Sequence, residues 1–370
     1  MEGIEKTLIR QMNDLADGSC LNLGLGELRF PTPRAILDHV RDHIGSWRLG
    51  YTPNEGFREL KELIAARHGW AVEPGRVCVT NGAQEALFAA LMVLVDSGDD
   101  VLVPDPGYPA YASIVKMAGG VPRSYALNGA SGFALDIGAV EAALSPSTAA
   151  VIINCPHNPT GAVYDRESVR VLAALCDSRG IPIISDEVYA AIYYDRAPTS
   201  PAFFSPRCVV VDSLSKTYSM TGWRLGWCIV PEDMISPLAA FHQLSVTCAS
   251  AVSQHAAMFA LRGGADAEKD DNLRELARRR DLAIACLKRN GLAFVEPAGT
   301  FYIMVDVTTR RPRFGNSLDL AKAFLVREKV VTIPGSAFGA RGEGYLRISF
   351  AAAPADIEEG VRRLARFLQN

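Results

Sequence analysis

No apolar run in the sequence is long enough to span a membrane, and the first residues lack the apolar core and cleavage site of a secretory signal. The eight cysteines are scattered along the chain without a Cys-x-x-Cys pair or a histidine cluster, which argues against a zinc site and a disulfide framework. A net charge of -3 gives no electric field for nucleic acid or for an anionic membrane. These absences favour a cytoplasmic protein without metal, nucleic-acid or membrane partners.

The composition that remains is that of an ordinary globular protein. Of the 370 residues, 49% are hydrophobic and 21% are charged, which suffices for a large buried core in one or two domains. Between residues 83 and 230, helical patterns alternate with short apolar runs. Because short apolar strands separated by helices build parallel sheets that are covered on both faces, this region predicts an α/β domain with a mostly parallel sheet.

The pattern changes after Pro231 and predicts a smaller α+β unit. Helices are predicted at 234–262, 267–290, 317–328 and 355–368. Strands are predicted at 292–295, 301–307, 330–333 and 345–350. We expect the N-terminal segment to pack on this unit, which gives a large domain at 34–266 and a discontinuous small domain made of 1–33 and 267–370.

Polar groups follow four of the predicted strands, and ligands of open α/β sheets bind where strands end. The groups are Asn81-Gly82-Ala83-Gln84, the loop 154–161, Asp186 to Tyr189, and the segment 213–226. The first opens a helix, whose backbone amides suit an anion. An aspartate directly after a buried strand needs a cation in order to be buried. Each group alone also suits an ordinary helix cap or turn.

Lys216 lies among hydroxyl side chains, with Arg224 a few residues downstream. A lone lysine in such a segment more often belongs to a surface loop. A lysine amine binds a carbonyl cofactor covalently only when it is deprotonated, which burial and nearby cations promote. Pyridoxal 5'-phosphate (PLP) needs such a lysine, a carboxylate for its ring nitrogen and groups that hold its phosphate. The four groups together supply this set and predict a PLP site.

From about residue 21 to residue 350, the chain resembles the class I/II aminotransferases, a family of fold-type I PLP enzymes. Seven motifs in the family's order carry the resemblance: Asn22-Leu23-Gly24-Leu25-Gly26, Tyr51-Thr52-Pro53-Asn54-Glu55-Gly56, Asn81-Gly82, Asn158-Pro159-Thr160-Gly161, Asp186-Glu187-Val188-Tyr189, Ser213 to Gly226, and Arg347-Ile348-Ser349-Phe350. The resemblance implies a seven-stranded, mostly parallel sheet flanked by helices, a smaller α+β domain, and a homodimer with shared active sites. It also implies ping-pong transfer of an amino group between an L-amino acid and a 2-oxo acid.

The resemblance assigns roles around the cofactor as well. Lys216 is implied to bind PLP covalently and to move a proton during the reaction, while Asp186 keeps the ring nitrogen protonated. Tyr189 and Asn158 are implied to hydrogen-bond the phenolic oxygen of the ring, and Tyr108 to stack on its face. The implied groups around the phosphate are Gly82, Ala83, Gln84, Ser213, Ser215, Arg224 and, reaching across to the neighbouring subunit, Tyr51.

On the substrate side, the resemblance makes Arg347 the bidentate clamp for the α-carboxylate. Strand alternation places Arg347 on the opposite face from Leu346 and Ile348, a pattern that also suits an exposed strand arginine. Asn158 and Gly26 are implied to lie beside the substrate.

The chain departs from the family where the glycine motif usually continues with Glu-Pro-Asp, because Leu28 and Arg29 occupy the last two positions. We expect Arg29 either to recognise a distal anionic group of the substrate or to be a solvated charge. The segment 243–254, which we also expect near the active site, offers no basic clamp for a second carboxylate.

Two other functions compete with the aminotransferase interpretation. A PLP-dependent carbon–sulfur lyase or decarboxylase would use the same scaffold, although the run Thr221-Gly222-Trp223-Arg224 favours the aminotransferases. A non-enzymatic effector-binding domain of a transcriptional regulator would be accompanied by a DNA-binding module and a basic patch, and the sequence shows neither.

Overall fold

The computed structural model describes residues 6–309 and 314–369, and its strands form one large sheet and two small ones. In chain order, the strands are β1 (Leu21–Asn22), β2 (Val77–Thr80), β3 (Asp100–Asp105), β4 (Val121–Ala126), β5 (Thr148–Asn154), β6 (Ile183–Asp186), β7 (Cys208–Ser213), β8 (Gly226–Ile229), β9 (Phe294–Val295), β10 (Tyr302–Asp306), β11 (Val330–Val331), β12 (Ile333–Pro334) and β13 (Tyr345–Ser349).

The α-helices surround these sheets. In chain order, they are α1 (Leu8–Asp14), α2 (Arg34–His43), α3 (Arg58–Ala66), α4 (Ala83–Leu94), α5 (Ala110–Met117), α6 (Ile137–Ala143), α7 (Arg166–Ser178), α8 (Leu214–Thr217), α9 (Glu232–Val246), α10 (Ala251–Phe259), α11 (Asp266–Arg289), α12 (Ser317–Glu328) and α13 (Pro354–Gln369). Among the described residues, no helix has both the length and the apolar character needed to cross a membrane.

The large sheet has seven strands in the order β2-β8-β7-β6-β5-β3-β4. Strand β8 runs antiparallel to both of its neighbours, and the pairings put the other six strands parallel to one another. The prediction of a mostly parallel, seven-stranded sheet flanked by helices is therefore confirmed. Because parallel strands share a direction, the carboxyl ends of these six strands lie along one edge of the sheet.

Two apolar cores cover the two faces of the large sheet, as the alternation of side chains requires. In β5, Val151 and Ile153 belong to one core, whereas Ala150 and Ile152 belong to the other. The same alternation continues to the polar residues at the strand ends. It puts Asn154 on the face of Ile152, which is the face covered by α4 and α5.

The smaller sheets share a third apolar core. One is antiparallel with the order β12-β13-β10-β9, and the other pairs β1 with β11 in parallel. Leu21 lies opposite Val330, so the N-terminal segment is joined to the C-terminal part of the chain. Met12 and Leu23 pack in this core with residues of α11, α12 and α13.

Two predicted elements were wrong. The helix predicted at 234–262 is divided into α9 and α10, because Thr247 adopts a left-handed backbone with φ of 69° and Ser250 then caps α10. The strand predicted at 330–333 is also divided: β11 pairs with β1, whereas β12 pairs with β13 in the other small sheet. In both places the sequence pattern continues across the break and does not reveal it.

Candidate active site

A cavity of about 310 Å³ lies at the carboxyl edge of the large sheet. Its wall includes Asn154, Asp186 and Ser213, which are the last residues of three neighbouring parallel strands. The pleat places the three side chains on one face, since each follows the α4-side core residues of its strand at a spacing of two. Clefts of this size bind small molecules in other proteins.

Lys216 borders the cavity from α8, a single helical turn that directly follows β7. Its Nζ atom donates a hydrogen bond to the carbonyl oxygen of Gly26 at 2.7 Å. Desolvation lowers the pKa of Lys216 to about 8; the nearby Glu27 carboxylate opposes this effect, whereas Arg347 and Arg224 add to it. An amine with this pKa is partly deprotonated near neutral pH, which nucleophilic and base chemistry require.

Asp186 ends β6 and is almost fully buried. Tyr111 donates its hydroxyl hydrogen to Oδ2 of Asp186 at 2.6 Å, and the amide of Val188 donates to Oδ1 at 3.3 Å. Burial raises the pKa of Asp186 to about 6, against the opposing effect of these hydrogen bonds and of the Lys216 charge. A cation placed beside this carboxylate would restore its ionised form.

Gly82 and Arg224 lie together at the start of α4 and form a candidate anion-binding site. Gly82 has φ of 89°, and a Cβ atom there would lie only 2.5 Å from Nη2 of Arg224, so the site requires glycine. The guanidinium donates to the carbonyl oxygens of Thr221 at 2.9 Å and of Asn81 at 3.3 Å. Ala83 and Gln84 at the helix start and Ser213 and Ser215 beside Lys216 complete this wall.

Two tyrosines and an asparagine complete the cofactor-facing wall. Tyr108 donates to the side-chain oxygen of Gln84 at 3.2 Å, and the hydroxyl of Tyr189 lies 3.2 Å from that of Tyr302. The amide of Asn158 donates to Oδ1 of Asn154 at 2.8 Å, which fixes the loop after β5.

Arg347 lies across the cavity on β13 with only 1% of its surface exposed. It donates to Oδ1 of Asn158 at 3.0 Å and to the carbonyl oxygen of Gly24 at 2.9 Å, while its Nε has no partner within the described structure. The Tyr302 ring lies against its guanidinium, with 4.0 Å between Cζ and the ring centroid. A buried guanidinium at a cavity wall, held by neutral oxygens, suits a carboxylate ligand.

Of the remaining predicted residues, one borders the cavity and two do not. Gly26 is at the cavity wall, but Arg29 is not part of that wall and forms an ion pair with Asp356 at 3.0 Å. Tyr51 lies in an irregular segment before α3 and is 86% exposed. It has no place in this cavity within one chain.

Sequence reasoning missed two tyrosines that organise the site. Tyr111 follows Tyr108 by three residues and lies in the first turn of α5, and its closeness to Tyr108 in the sequence could have revealed it. Tyr302 had no such signal. It lies diagonally opposite Arg347 only because β10 and β13 pair with Tyr302 across from Ser349 and Met304 across from Arg347.

The residues present fit PLP. Lys216 offers an amine, Asp186 a buried carboxylate, and Gly82 an opening in front of Arg224 that a Cβ atom would fill. Within residues 6–309 and 314–369, no three His, Cys, Asp or Glu side chains cluster in a way that could hold a metal ion.

The chain matches the model of the family described as "Aminotransferase class I and II" over residues 18–364. It is 36% identical over 374 residues to a probable aspartate aminotransferase of Methanocaldococcus jannaschii. This alignment covers 97% of this chain and 96% of the relative. It is 33% identical to an aromatic-amino-acid aminotransferase of Thermococcus litoralis, with 100% of this chain and 97% of the relative covered.

The fold is likewise similar to solved structures. The crystal structure of an aspartate aminotransferase from Thermotoga maritima superposes with a TM-score of 0.92 and 33% sequence identity, covering 99% of this chain and 98% of that one. The similarity extends over both the large and the small sheets, because almost the whole of each chain is covered.

Proposed function

We propose, from the premise that the chain belongs to the class I and II aminotransferases, that its reaction is a ping-pong transfer centred on Lys216. The family makes it a PLP-dependent enzyme that moves an amino group between an L-amino acid and a 2-oxo acid. The observation that carries the proposal is that the Lys216 amine and the buried Asp186 carboxylate border one cavity. Initial rates at several acceptor concentrations should give parallel double-reciprocal lines, and intersecting lines would contradict it.

When bound, PLP supplies an electron-withdrawing ring that makes a hydrogen on the α-carbon of the substrate acidic. Lys216 then accepts and returns this proton at Nζ, a role that its lowered pKa supports. Asp186, held by Tyr111, would stabilise a positive charge on the ring nitrogen. Tyr189 and Asn158, which border the cavity, would donate toward the phenolic oxygen of the ring, and Tyr108 would cover the ring face.

The phosphate is proposed to lie between the start of α4 and Arg224. The helix N-terminus offers the amides of Ala83 and Gln84, and Arg224 offers a planar fork of donors. Ser213 and Ser215 supply hydroxyls from the lysine segment. Gly82 allows the close approach, because any side chain there would meet the guanidinium.

Arg347 is proposed to bind the α-carboxylate of the substrate, with Asn158 and Gly26 beside it. Its stacking on Tyr302 fixes the plane of the guanidinium, whose two terminal nitrogens suit the two oxygens of a carboxylate. Glycine at position 26 keeps this wall free of a side chain; a Cβ atom there would lie 3.4 Å from the Tyr302 hydroxyl.

We propose that the enzyme is a homodimer in which Tyr51 completes the phosphate site of the neighbouring subunit. Tyr51 is exposed together with Ile44, Leu49, Leu244 and Val246, and the side chain of Asn54 joins their two segments through the carbonyl oxygen of Thr247. An exposed apolar patch of this kind suits a self-complementary interface.

Hybrid dimers test the shared site. A Tyr51→Ala protomer mixed with a Lys216→Ala protomer should regain about a quarter of the native activity, since half of the dimers then contain one complete site. No recovery in verified hybrids would contradict the exchange of Tyr51 between subunits.

We propose a large domain at 34–266 and a discontinuous small domain made of 1–33 and 267–370, supported by the apolar core that Met12 and Leu23 share with α11, α12 and α13. Limited proteolysis should cut near residues 33 and 266. We also propose a cytoplasmic location, which the eight free thiols support.

We propose that the preferred amino donor has an uncharged side chain. The cations in the described wall of the cavity are Lys216, Arg224 and Arg347, and each already has a role in the proposed site. Apolar and aromatic groups, among them Ile9 and Tyr302, line the rest. In a donor panel with 2-oxoglutarate, leucine or phenylalanine should have a higher kcat/KM than aspartate; the reverse order would overturn this preference.

A further inference from the structure

We propose that Arg29 is a positioning residue: together with Asp356, it holds the loop from Asn22 to Arg29 in place over the active site. We call the segment from Asn22 to Arg29 the glycine loop. The inference rests on the proposed function and explains the departure of this chain from its family at position 29.

Arg29 is anchored at both ends of its guanidinium. Nη1 donates to Oδ2 of Asp356 at 3.0 Å, and Nη2 donates to the carbonyl oxygen of Asn22 at 3.3 Å. The second bond closes the glycine loop on itself, and the first ties it to the opening turn of α13. The side chains of Arg29 and Asp356 are only 34% and 29% exposed, so solvent screens this pair less than a fully exposed one.

The glycine loop carries two carbonyl oxygens that contact the two sides of the cavity. That of Gly24 accepts from Arg347 at 2.9 Å, and that of Gly26 accepts from Lys216 at 2.7 Å. The position of the loop therefore decides where the proposed carboxylate clamp and the reactive amine lie with respect to each other.

The two ends of the glycine loop are held very differently. Its start is built into the small sheets, because Leu23 donates to Val331 at 3.0 Å and accepts from Ser349 at 2.7 Å. Its second half is held by Lys216 at Gly26, by a long 3.3 Å contact from Thr221 to Glu27, and by Arg29. Since Lys216 must be free to react, the polar anchors that remain on that half are the Arg29 pair and the longer contact from Thr221.

These contacts favour positioning over direct recognition of a substrate anion. The guanidinium is already paired with a carboxylate and a carbonyl oxygen, and Arg29 is not part of the cavity wall. A displacement of about 1 Å in a positioned group can lower kcat/KM by about 100-fold, so a modest anchor suffices to affect how the proposed clamp binds the substrate.

A double-mutant cycle on the holoenzyme tests the proposal. We expect Arg29→Met and Asp356→Asn each to raise KM for the amino donor by about fivefold to tenfold with kcat within about twofold. The double variant should be no worse than Arg29→Met, because both changes remove the Arg29–Asp356 pair and Arg29→Met alone also removes the bond to Asn22. Arg58→Met is the control, since Arg58 forms an exposed pair with Glu62 on α3 and should leave KM unchanged.

Hydrogen exchange gives a readout independent of activity. In the cofactor-free protein, amides of residues 24–30 should exchange faster in Arg29→Met and Asp356→Asn than in the wild type or in Arg58→Met. Unchanged KM and exchange in Arg29→Met would overturn the proposal. So would additive effects of the two changes, or a loss confined to acidic donors with Asp356→Asn unaffected. A wild type without transaminase activity would instead remove the proposed function, and the exchange result would still decide whether Arg29 holds the loop.

Discussion

The two sides of the cavity are built in different ways. The cofactor side comes from the carboxyl ends of neighbouring parallel strands in one sheet, with Asp186 at the end of β6 and Lys216 in the helical turn that follows β7. The substrate side joins distant parts of the chain: the glycine loop, Tyr302 on β10 and Arg347 on β13. The first is fixed by the regular geometry of the sheet, and the second by a few specific contacts between segments.

This difference predicts how each side responds to change. Substitutions on the cofactor side should abolish both the PLP spectrum and the catalytic activity. Substitutions on the substrate side should leave the spectrum intact and raise KM for the amino acid. The following experiments test this separation, from the largest expected effect to the smallest.

Lys216→Ala should lower kcat/KM by at least about 10⁴-fold, because it removes both the covalent anchor and the base. The visible absorbance of the holoenzyme should disappear as well. Lys116→Ala, an exposed lysine on α5, is the control and should change neither quantity. A Lys216→Ala protein that keeps activity within about tenfold of the wild type would contradict the assignment.

Arg347→Met should lower kcat/KM by about 10²- to 10³-fold, as expected when one partner of a buried charged contact is lost. Most of the change should be in KM for the amino acid. The PLP spectrum should remain that of the wild type, since the cofactor side is untouched. If the spectrum disappears along with the activity, the two sides are not separable.

Asp186→Asn should change how the stability of the cofactor-free protein depends on pH. Burial raises the pKa of Asp186 to about 6, so the folded state binds more protons than the unfolded state and stability falls as the pH rises from about 4 to about 6. Over this range, the free energy of unfolding of Asp186→Asn should fall by up to about 3 kcal/mol less than that of the wild type. Some decline should remain, because burial also raises the pKa of Glu187 to about 7 and of Asp212 to about 6.

Urea unfolding of the cofactor-free wild type and variant at pH 4.5 and pH 7 measures this effect. Saturation with PLP should reduce the pH dependence in the wild type, since a positively charged ring nitrogen stabilises the carboxylate. If the stability of the two cofactor-free proteins depends on pH in the same way, Asp186 is not a carboxylate whose pKa is raised by burial.

Tyr302→Leu should raise KM for the amino donor by about fivefold, because it removes the ring that stacks on Arg347, a contact of about 1 kcal/mol. Tyr302→Phe keeps the ring and should have a smaller effect, which comes from the lost contact with the Tyr189 hydroxyl. If the Phe variant is worse than the Leu variant, the hydroxyl matters more than the stacking.

The same difference between the two sides explains what the sequence could predict. On the cofactor side, a short apolar run followed by a polar motif marks a strand end, and the order of such motifs already suggests one sheet edge. Lys216, Asp186, Asn158 and Arg224 were therefore predicted as one site, and all four border the cavity. The mostly parallel sheet followed from the same alternation of helices and strands.

The substrate side could be predicted less completely from the sequence, because its contacts depend on pairings between distant segments. Tyr302 reaches Arg347 only through the register of β10 and β13, which no local pattern encodes. The pairing of Arg29 with Asp356 joins residues 327 positions apart. Likewise, the break at Thr247 depends on a left-handed backbone in a residue that rarely adopts one.

The most direct test of the central claim is the visible spectrum of the holoenzyme during the two half-reactions. Addition of an amino donor alone should convert the visible band stoichiometrically to the shorter-wavelength band of the amine form of the cofactor. Subsequent addition of a 2-oxo acid should restore the original band. A band that does not respond to any donor, or ammonia and a 2-oxo acid that accumulate without an acceptor, would contradict amino-group transfer centred on Lys216.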